Sequence, residues 1–314
     1  MVTILFFLLT LLSINNVFAK EIKPLYKLPE QVVVPEEKIS ETKTFLAGSD
    51  KGLFKISSNN QSIPLWTDGG VEQIVRAEVP SEDGKFHEVW YFRTTEGILF
   101  SSDLETFELR NEGLPFLTIK EYDGQNTSFK KVVHTLKDIC VNPLNSMQIV
   151  TATKDNVYLS RDGGKNWKSL GSMSKSTSGI KAVAVASMPV TNADGSPGAE
   201  LVVFMSHPIF GLSYIKPDAK NPGWIDVSAG FELMPTMTQP DEIADILPVM
   251  KLNSDGSFGV TVYMSQTFIP RIYRFNWETK RGECIYRGEE PADTIDALTT
   301  VDNTLVYTRI ETIG

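Results

Sequence analysis

The sequence predicts an all-β fold, a β-propeller of four-stranded antiparallel blades with about six blade-like units. Three observations carry that prediction. A pair of short strands recurs along the chain, one stretch spells out a complete four-strand unit, and helical periodicity of useful length is absent after residue 19.

The complete unit runs from Lys137 to Leu170. Ile139 to Val141 forms a short apolar strand, and Asn142-Pro143-Leu144-Asn145 makes a turn. Met147 to Thr153 is a second strand, Lys154-Asp155-Asn156 a tight turn, and Val157 to Ser160 a third strand. Asp162-Gly163-Gly164 then leads to a fourth strand from Trp167 to Leu170. Four strands joined by tight turns in one short stretch match a propeller blade.

The two middle strands recur as Thr44–Ser57, Val89–Ser102, Gln148–Ser160, Leu201–Ile215 and Val260–Phe275, with a fainter echo from Ala297 to Ile310. Their alternation of apolar and polar residues fits half-buried antiparallel sheet. Apolar strands precede several of them, at Val71–Val79, Ile180–Ala186 and Ile243–Val249. Outer strands follow at Phe107–Arg110, Trp224–Val227 and Cys284–Tyr286. A β-sandwich is the competing architecture, because it too strings short strands between turns. The ordered four-strand unit favours the propeller.

The first residues set the compartment. Ile4 to Leu12 is almost wholly apolar, and Val17-Phe18-Ala19 offers small residues where a cleavage site needs them. This is the layout of a secretory signal peptide over residues 1–19, although Met1-Val2-Thr3 carries no basic residue. The apolar run is short for a membrane span, so export without a stable span after cleavage is expected. Residues 20–43 read as an N-terminal segment or linker and 44–314 as the propeller. The chain ends at Glu311-Thr312-Ile313-Gly314, where a turn would launch another strand, so the propeller reads as truncated at its C-terminus. The alternative is that Gln31–Val34 completes the last blade.

A formal net charge of -9 disfavours a nucleic-acid partner, since phosphate recognition needs clustered Lys and Arg. Cys140 and Cys284 fall two blades apart and are expected to be buried, unpaired thiols. No HExxH, G-x-S-x-G, P-loop or GxGxxG pattern occurs, and His87, His134 and His207 are far apart. No catalytic residue, metal or cofactor is therefore assigned. Asp241, Glu242 and Asp245 cluster before a strand and read as solvated loop acids rather than a catalytic group. Asn192–Gly195 and Asn253–Ser257 read as hairpin turns rather than calcium loops.

Ser160-Arg161-Asp162-Gly163-Gly164-Lys165-Asn166-Trp167 has the form S-x-D-x-G-x-x-W. With the strands before it, this resembles the Asp-box, or BNR repeat, of β-propellers such as photosystem II stability factors and sortilin-type receptors. The usual Thr before the Trp is Asn166 here. A decayed copy stands at Ser101–Phe107, without the glycine. The resemblance implies a structural motif: Ser160 and Asp162 bind their own turn, Gly164 permits unusual backbone angles, and Trp167 folds back into the blade.

In such a blade the turn between strands three and four lies on one face, and the connections between blades lie on the other. Long insertions fall on that second face, at Asn111–Leu136, Gly171–Gly179 and Ala229–Glu242. They supply a candidate binding face of Phe116, Tyr122, Lys130, Lys131, His207, Phe210, Phe231, Met234, Asp241, Glu242, Phe268 and Arg271. The expected function is a noncatalytic protein- or glycan-binding or scaffold module acting outside the cytoplasm. The alternative is the N-terminal propeller of a larger exported glycoside or cell-wall hydrolase whose catalytic residues lie beyond Gly314.

Overall fold

The computed structural model describes residues 26–27, 44–57, 61–80, 86–172, 179–192, 194–207, 211–233, 242–252, 258–267, 270–288, 293–301 and 304–311. The sequence readings at residues 1–19, Gln31–Val34 and Asn253–Ser257 lie outside them. All regular structure among the described residues is strand, and no helix there is long and apolar enough to cross a membrane.

The described residues begin with β1 (Tyr26–Lys27). The first blade follows as β2 (Phe45–Ser49), β3 (Gly52–Ile56) and β4 (Ser62–Trp66), the second as β5 (Val71–Pro80), β6 (Phe86–Thr94), β7 (Gly97–Ser101) and β8 (Glu108–Leu109). A separate hairpin, β9 (Phe116–Tyr122) and β10 (Thr127–Val133), comes before the third blade. That blade is β11 (Asp138–Asn142), β12 (Asn145–Ala152), β13 (Val157–Ser160) and β14 (Lys168–Gly171). The fourth is β15 (Val183–Thr191), β16 (Pro197–His207), β17 (Gly211–Ile215) and β18 (Ile225–Asp226). The fifth is β19 (Ile243–Leu252), β20 (Phe258–Gln266), β21 (Arg271–Asn276) and β22 (Arg281–Arg287), and β23 (Asp293–Val301) and β24 (Thr304–Glu311) begin the sixth.

Each blade is a meander in which sequence neighbours pair antiparallel, giving a β-propeller with six blade sheets among the described residues. The exception is the sixth, ordered β1-β24-β23: Tyr26 lies opposite Leu305 and Lys27 opposite Thr304. Among the described residues the third strand of the last blade thus comes from the N-terminal side, at Tyr26–Lys27. The echo at Ala297–Ile310 also shifts: its strands are the first and second of their blade, not the middle pair. The alternation that marks a middle strand also marks an inner one, so the pattern could not distinguish them.

Three hydroxyl residues show how the repeat works. Ser49 and Thr94, which end β2 and β6, and Thr153, which follows β12, each stand at the start of a tight turn. Lys51 N–H donates to Ser49 Oγ at 3.1 Å and Glu96 N–H to Thr94 Oγ1 at 3.1 Å, while Thr153 Oγ1 reaches Asn156 O at 3.4 Å. In the fourth blade Ser206 serves a different end. It accepts from Ala182 N at 3.1 Å and donates to Ile243 O of the fifth blade at 2.8 Å.

That bond belongs to a series. Gln73 of the second blade accepts from Ile139 N of the third through Oε1 at 3.1 Å. Asp138 of the third accepts from Val183 N of the fourth through Oδ2 at 2.8 Å. Asp245 of the fifth accepts from Leu298 N of the sixth through Oδ2 at 2.7 Å. A side chain near the start of one inner strand, or opposite it, thereby binds the backbone of the next blade. Such bonds satisfy amides that radial packing would otherwise bury unpaired. Apolar clusters fill the space between blades, as with Phe204, Tyr214, Met264 and Tyr273 between the fourth and fifth.

Candidate binding surface

In each four-stranded blade the inner strand starts beside the turn that joins the second and third strands: Val71 opposite Thr94, Asp138 opposite Ala152, Val183 opposite Met205 and Ile243 opposite Gln266. Connections between blades therefore emerge on the same face as those turns. The Ser160–Trp167 turn lies on the other face, where Gly163 N–H donates to Met147 O at 3.0 Å.

That turn is built for structure. Ser160 Oγ accepts from Gly164 N at 2.8 Å and donates to Asp162 Oδ1 at 2.8 Å. Asp162 in turn accepts Asn166 N at 2.9 Å and Asn166 Nδ2 at 2.7 Å. Desolvation would raise the Asp162 pKa, but the bonds from Asn166 and Ser160 outweigh it and lower the value. Gly163 and Gly164 sit at φ 71 and 85, in the left-handed region. Trp167 is 6% exposed and its Nε1–H donates to Arg110 O of the second blade at 2.8 Å.

Gly113 lies against that tryptophan at φ +89, where an added Cβ would stand 2.2 Å from Trp167 O. Gly113→Ala is expected to lower stability by about 2 kcal/mol, from left-handed strain and the backbone collision, read as a fall in Tm. The shortened copy at Ser101–Phe107 keeps the same logic. Leu104 N–H donates to Ser101 Oγ at 2.8 Å, with Leu104 held at φ 61 where a glycine is absent. Hydrogen bonds from the Thr106 and Glu105 amides bring the Asp103 pKa down to about 2.

The inner strands enclose a channel of about 1290 Å³ lined in part by Gln73, Asp138, Asp245 and Thr299. Asp138 and Asp245 were not singled out together by the sequence, and Asp245 lies within β19 rather than in a solvated loop. Desolvation raises both pKa values, that of Asp245 to about 7 with Asp138 adding repulsion; Arg93 acts in the opposite direction on Asp138. Asp138 Oδ1 accepts from Gln73 Nε2 at 2.8 Å and Ile139 N at 2.7 Å, and its Oδ2 binds the next blade. These acids join blades. Cys140 and Cys284 are free and partly buried, with burial raising both thiol pKa values.

On the opposite face, the structure divides the predicted binding residues. Phe116, Tyr122, Lys130 and Lys131 come together on the β9–β10 hairpin. Phe231 is withdrawn into the core against Tyr273, with ring centroids 4.8 Å apart, so its aromatic ring is a packing group rather than a surface one. His207 is likewise buried at the end of β16, and desolvation lowers its pKa. Both stand in segments read as exposed loops, and both are drawn inward by neighbouring strands. Arg271 pairs with Glu232 at 3.2 Å, and Glu232 also pairs with Arg287. Glu242 pairs with Lys181 at 3.3 Å. Phe210, Met234, Asp241 and Phe268 lie outside the described residues.

The hairpin replaces what the sequence reading left as part of a long loop. Its strands pair without a break from Phe116 opposite Val133 to Tyr122 opposite Thr127. Directly opposed residues share a face and successive residues alternate. One face therefore carries Phe116, Thr118, Lys120, Tyr122, Thr127, Phe129, Lys131 and Val133, with no acid among them. The other carries Leu117, Ile119, Glu121, Ser128, Lys130 and Val132. Tyr122 and Phe129 are 71% and 70% exposed, and Phe116, Leu117 and Ile119 are exposed as well. Lys131 Nζ lies 4.1 Å from the Phe116 ring centroid. Lys130 reaches Glu96 of the second blade at 3.8 Å, and at the base of the other face Val133 packs into the seam between the second and third blades. Phe129, Lys120, Leu117 and Ile119 were missed. The alternation on both sides of Asp123-Gly124, a hairpin signal, was the clue.

No protein-family model matches the chain, and no curated protein matches it in sequence. Among solved structures, it is similar to the extracellular domain of a proposed one-component system from B. thetaiotaomicron, at 9% identity and TM-score 0.45, covering 93% of this chain and 33% of that one. It is also similar to YCF48 bound to D1 peptide, at 10% identity and TM-score 0.43, covering 90% of this chain and 81% of that one. An ancestral GH74 enzyme is similar at 13% identity and TM-score 0.34, covering 88% and 41%. The chain thus spans only a third of the first of these proteins.

Proposed function

We propose that this β-propeller is an exported, noncatalytic recognition module. It engages a protein or glycan partner through the face that bears the connections between blades, with the β9–β10 hairpin as the principal contact element. One observation carries the reading: five large apolar side chains stand exposed on a single two-stranded projection, interleaved with lysines. Water penalises such a cluster unless a partner covers it, and aromatic anchors are where binding energy concentrates. Support also comes from Asp138 and Asp245 in the channel, whose oxygens bind backbone amides of adjoining blades.

The test uses the full chain on arrays of glycans and of peptides, beside a Tyr122→Ala/Phe129→Ala variant. These exposed changes should move stability by less than about 1 kcal/mol in total. Binding to whichever class is recognised should fall at least tenfold, as loss of anchor residues predicts. Undiminished binding by the folded variant would sink the hairpin as the contact element.

A further inference from the structure

We propose that the hairpin accepts an acidic, extended polypeptide segment as a third strand, paired to its open edge. This rests on the recognition role proposed above and specifies the partner and its binding mode.

The backbone supplies the first argument. β9 and β10 form a two-stranded sheet of their own, and among the described residues no third strand pairs with either. Each strand is seven residues long, so its outer edge offers a row of amides and carbonyls long enough for a stable ladder. Both strands are exposed along nearly their whole length, whereas the second strands of the blades are buried between neighbours. Two strands alone are marginal in water, and a third strengthens the sheet.

Charge selects the partner. The face turned away from Lys130 holds Lys120 and Lys131 among three aromatic rings and carries no acid. A strand added beside β10 would have Lys131 as its cross-strand neighbour on this face, and one added beside β9 would have Lys120, with the second lysine one strand further in. Either edge favours Asp or Glu opposite the lysine and apolar residues opposite the rings. A second copy of this chain fits poorly. Pairing β10 with β10 about a two-fold axis that passes at or between Lys130 and Lys131 sets lysine opposite lysine, and like charges at close cross-strand positions are destabilising. A glycan stacks on a bare ring face, yet the Phe116 ring already has the Lys131 ammonium over it. A polypeptide uses both the edge and the lysines.

The experiment titrates the full chain with four probes. One is a nine-residue peptide alternating Glu with Val and Tyr, and the second is that peptide N-methylated at alternate amides. The third has Lys in place of Glu, and the fourth is a polyuronate glycan. Fluorescence anisotropy gives affinity, and hydrogen exchange over residues 116–133 locates the contact. The acidic peptide is expected to bind and slow exchange in the hairpin. N-methylation, or Lys for Glu, should each weaken binding at least tenfold. Lys120→Glu/Lys131→Glu in the protein should weaken the acidic peptide at least tenfold and reverse the preference toward the lysine peptide.

Equal binding of the N-methylated peptide would overturn strand addition and leave the recognition role standing. Tighter binding of the polyuronate would overturn the polypeptide assignment. No slowing of exchange in the hairpin with the acidic peptide would overturn the proposal, while the array comparison separately decides whether the hairpin binds at all.

Discussion

Trp167→Ala is expected to destabilise the protein by about 4 kcal/mol, the range seen when a large buried ring is removed and the site cannot collapse. The indole packs among Tyr91, Ile139, Ile149 and Tyr158, where the second and third blades meet. Its loss empties that seam and leaves Arg110 O without its donor at 2.8 Å. Urea unfolding should show a lower midpoint with an unchanged slope. Asp162→Ala, by contrast, removes only turn bonds and should cost about 1 kcal/mol. A larger loss at Asp162 than at Trp167 would contradict the account of the turn.

The second large effect concerns pH. Asp245 ordinarily would titrate near 3.8, and in the folded chain burial and the nearby Asp138 raise it to about 7. Between those values the native state holds a proton that the unfolded state releases, so stability should fall as pH rises from about 4 to about 7. The full effect is on the order of 4 kcal/mol. Desolvation raises Asp138 as well, and its contribution has the same sign. Asp245→Asn keeps an oxygen to accept the Leu298 amide without the charge. It should match the parent below pH 4 and exceed it above pH 7 by about 2 kcal/mol or more. Parallel stability curves for the two proteins across that range would refute the assignment.

Much of the fold was legible because its signals are local. Alternation in strands such as Gln148–Ala152 and turn residues such as Asp155-Asn156 reveal a repeat wherever they occur. The Ser160–Trp167 turn was readable for the same reason, since Ser160 and Asp162 bind amides only a few residues away. The joints between blades were not. Gln73, Asp138 and Asp245 acquire their roles from amides on the next blade, and nothing beside Asp245 in sequence distinguishes it from a solvated acid. Phe231 was misjudged on similar grounds, for it sits in an insertion and is buried by Tyr273 of another strand.

The pairing of β1 with β24 has a consequence for the order of assembly. Every other blade closes by contacts between near neighbours in sequence, whereas Tyr26 must find Leu305 across almost the whole described chain. The entropy of closing so long a loop falls sharply once the intervening blades have formed and brought the two ends near each other. Two residue pairs, forming late, repay little by themselves. This joint should be the last to knit and the first to open, so the amides along the β1–β24 pairing would exchange sooner than those of the third blade.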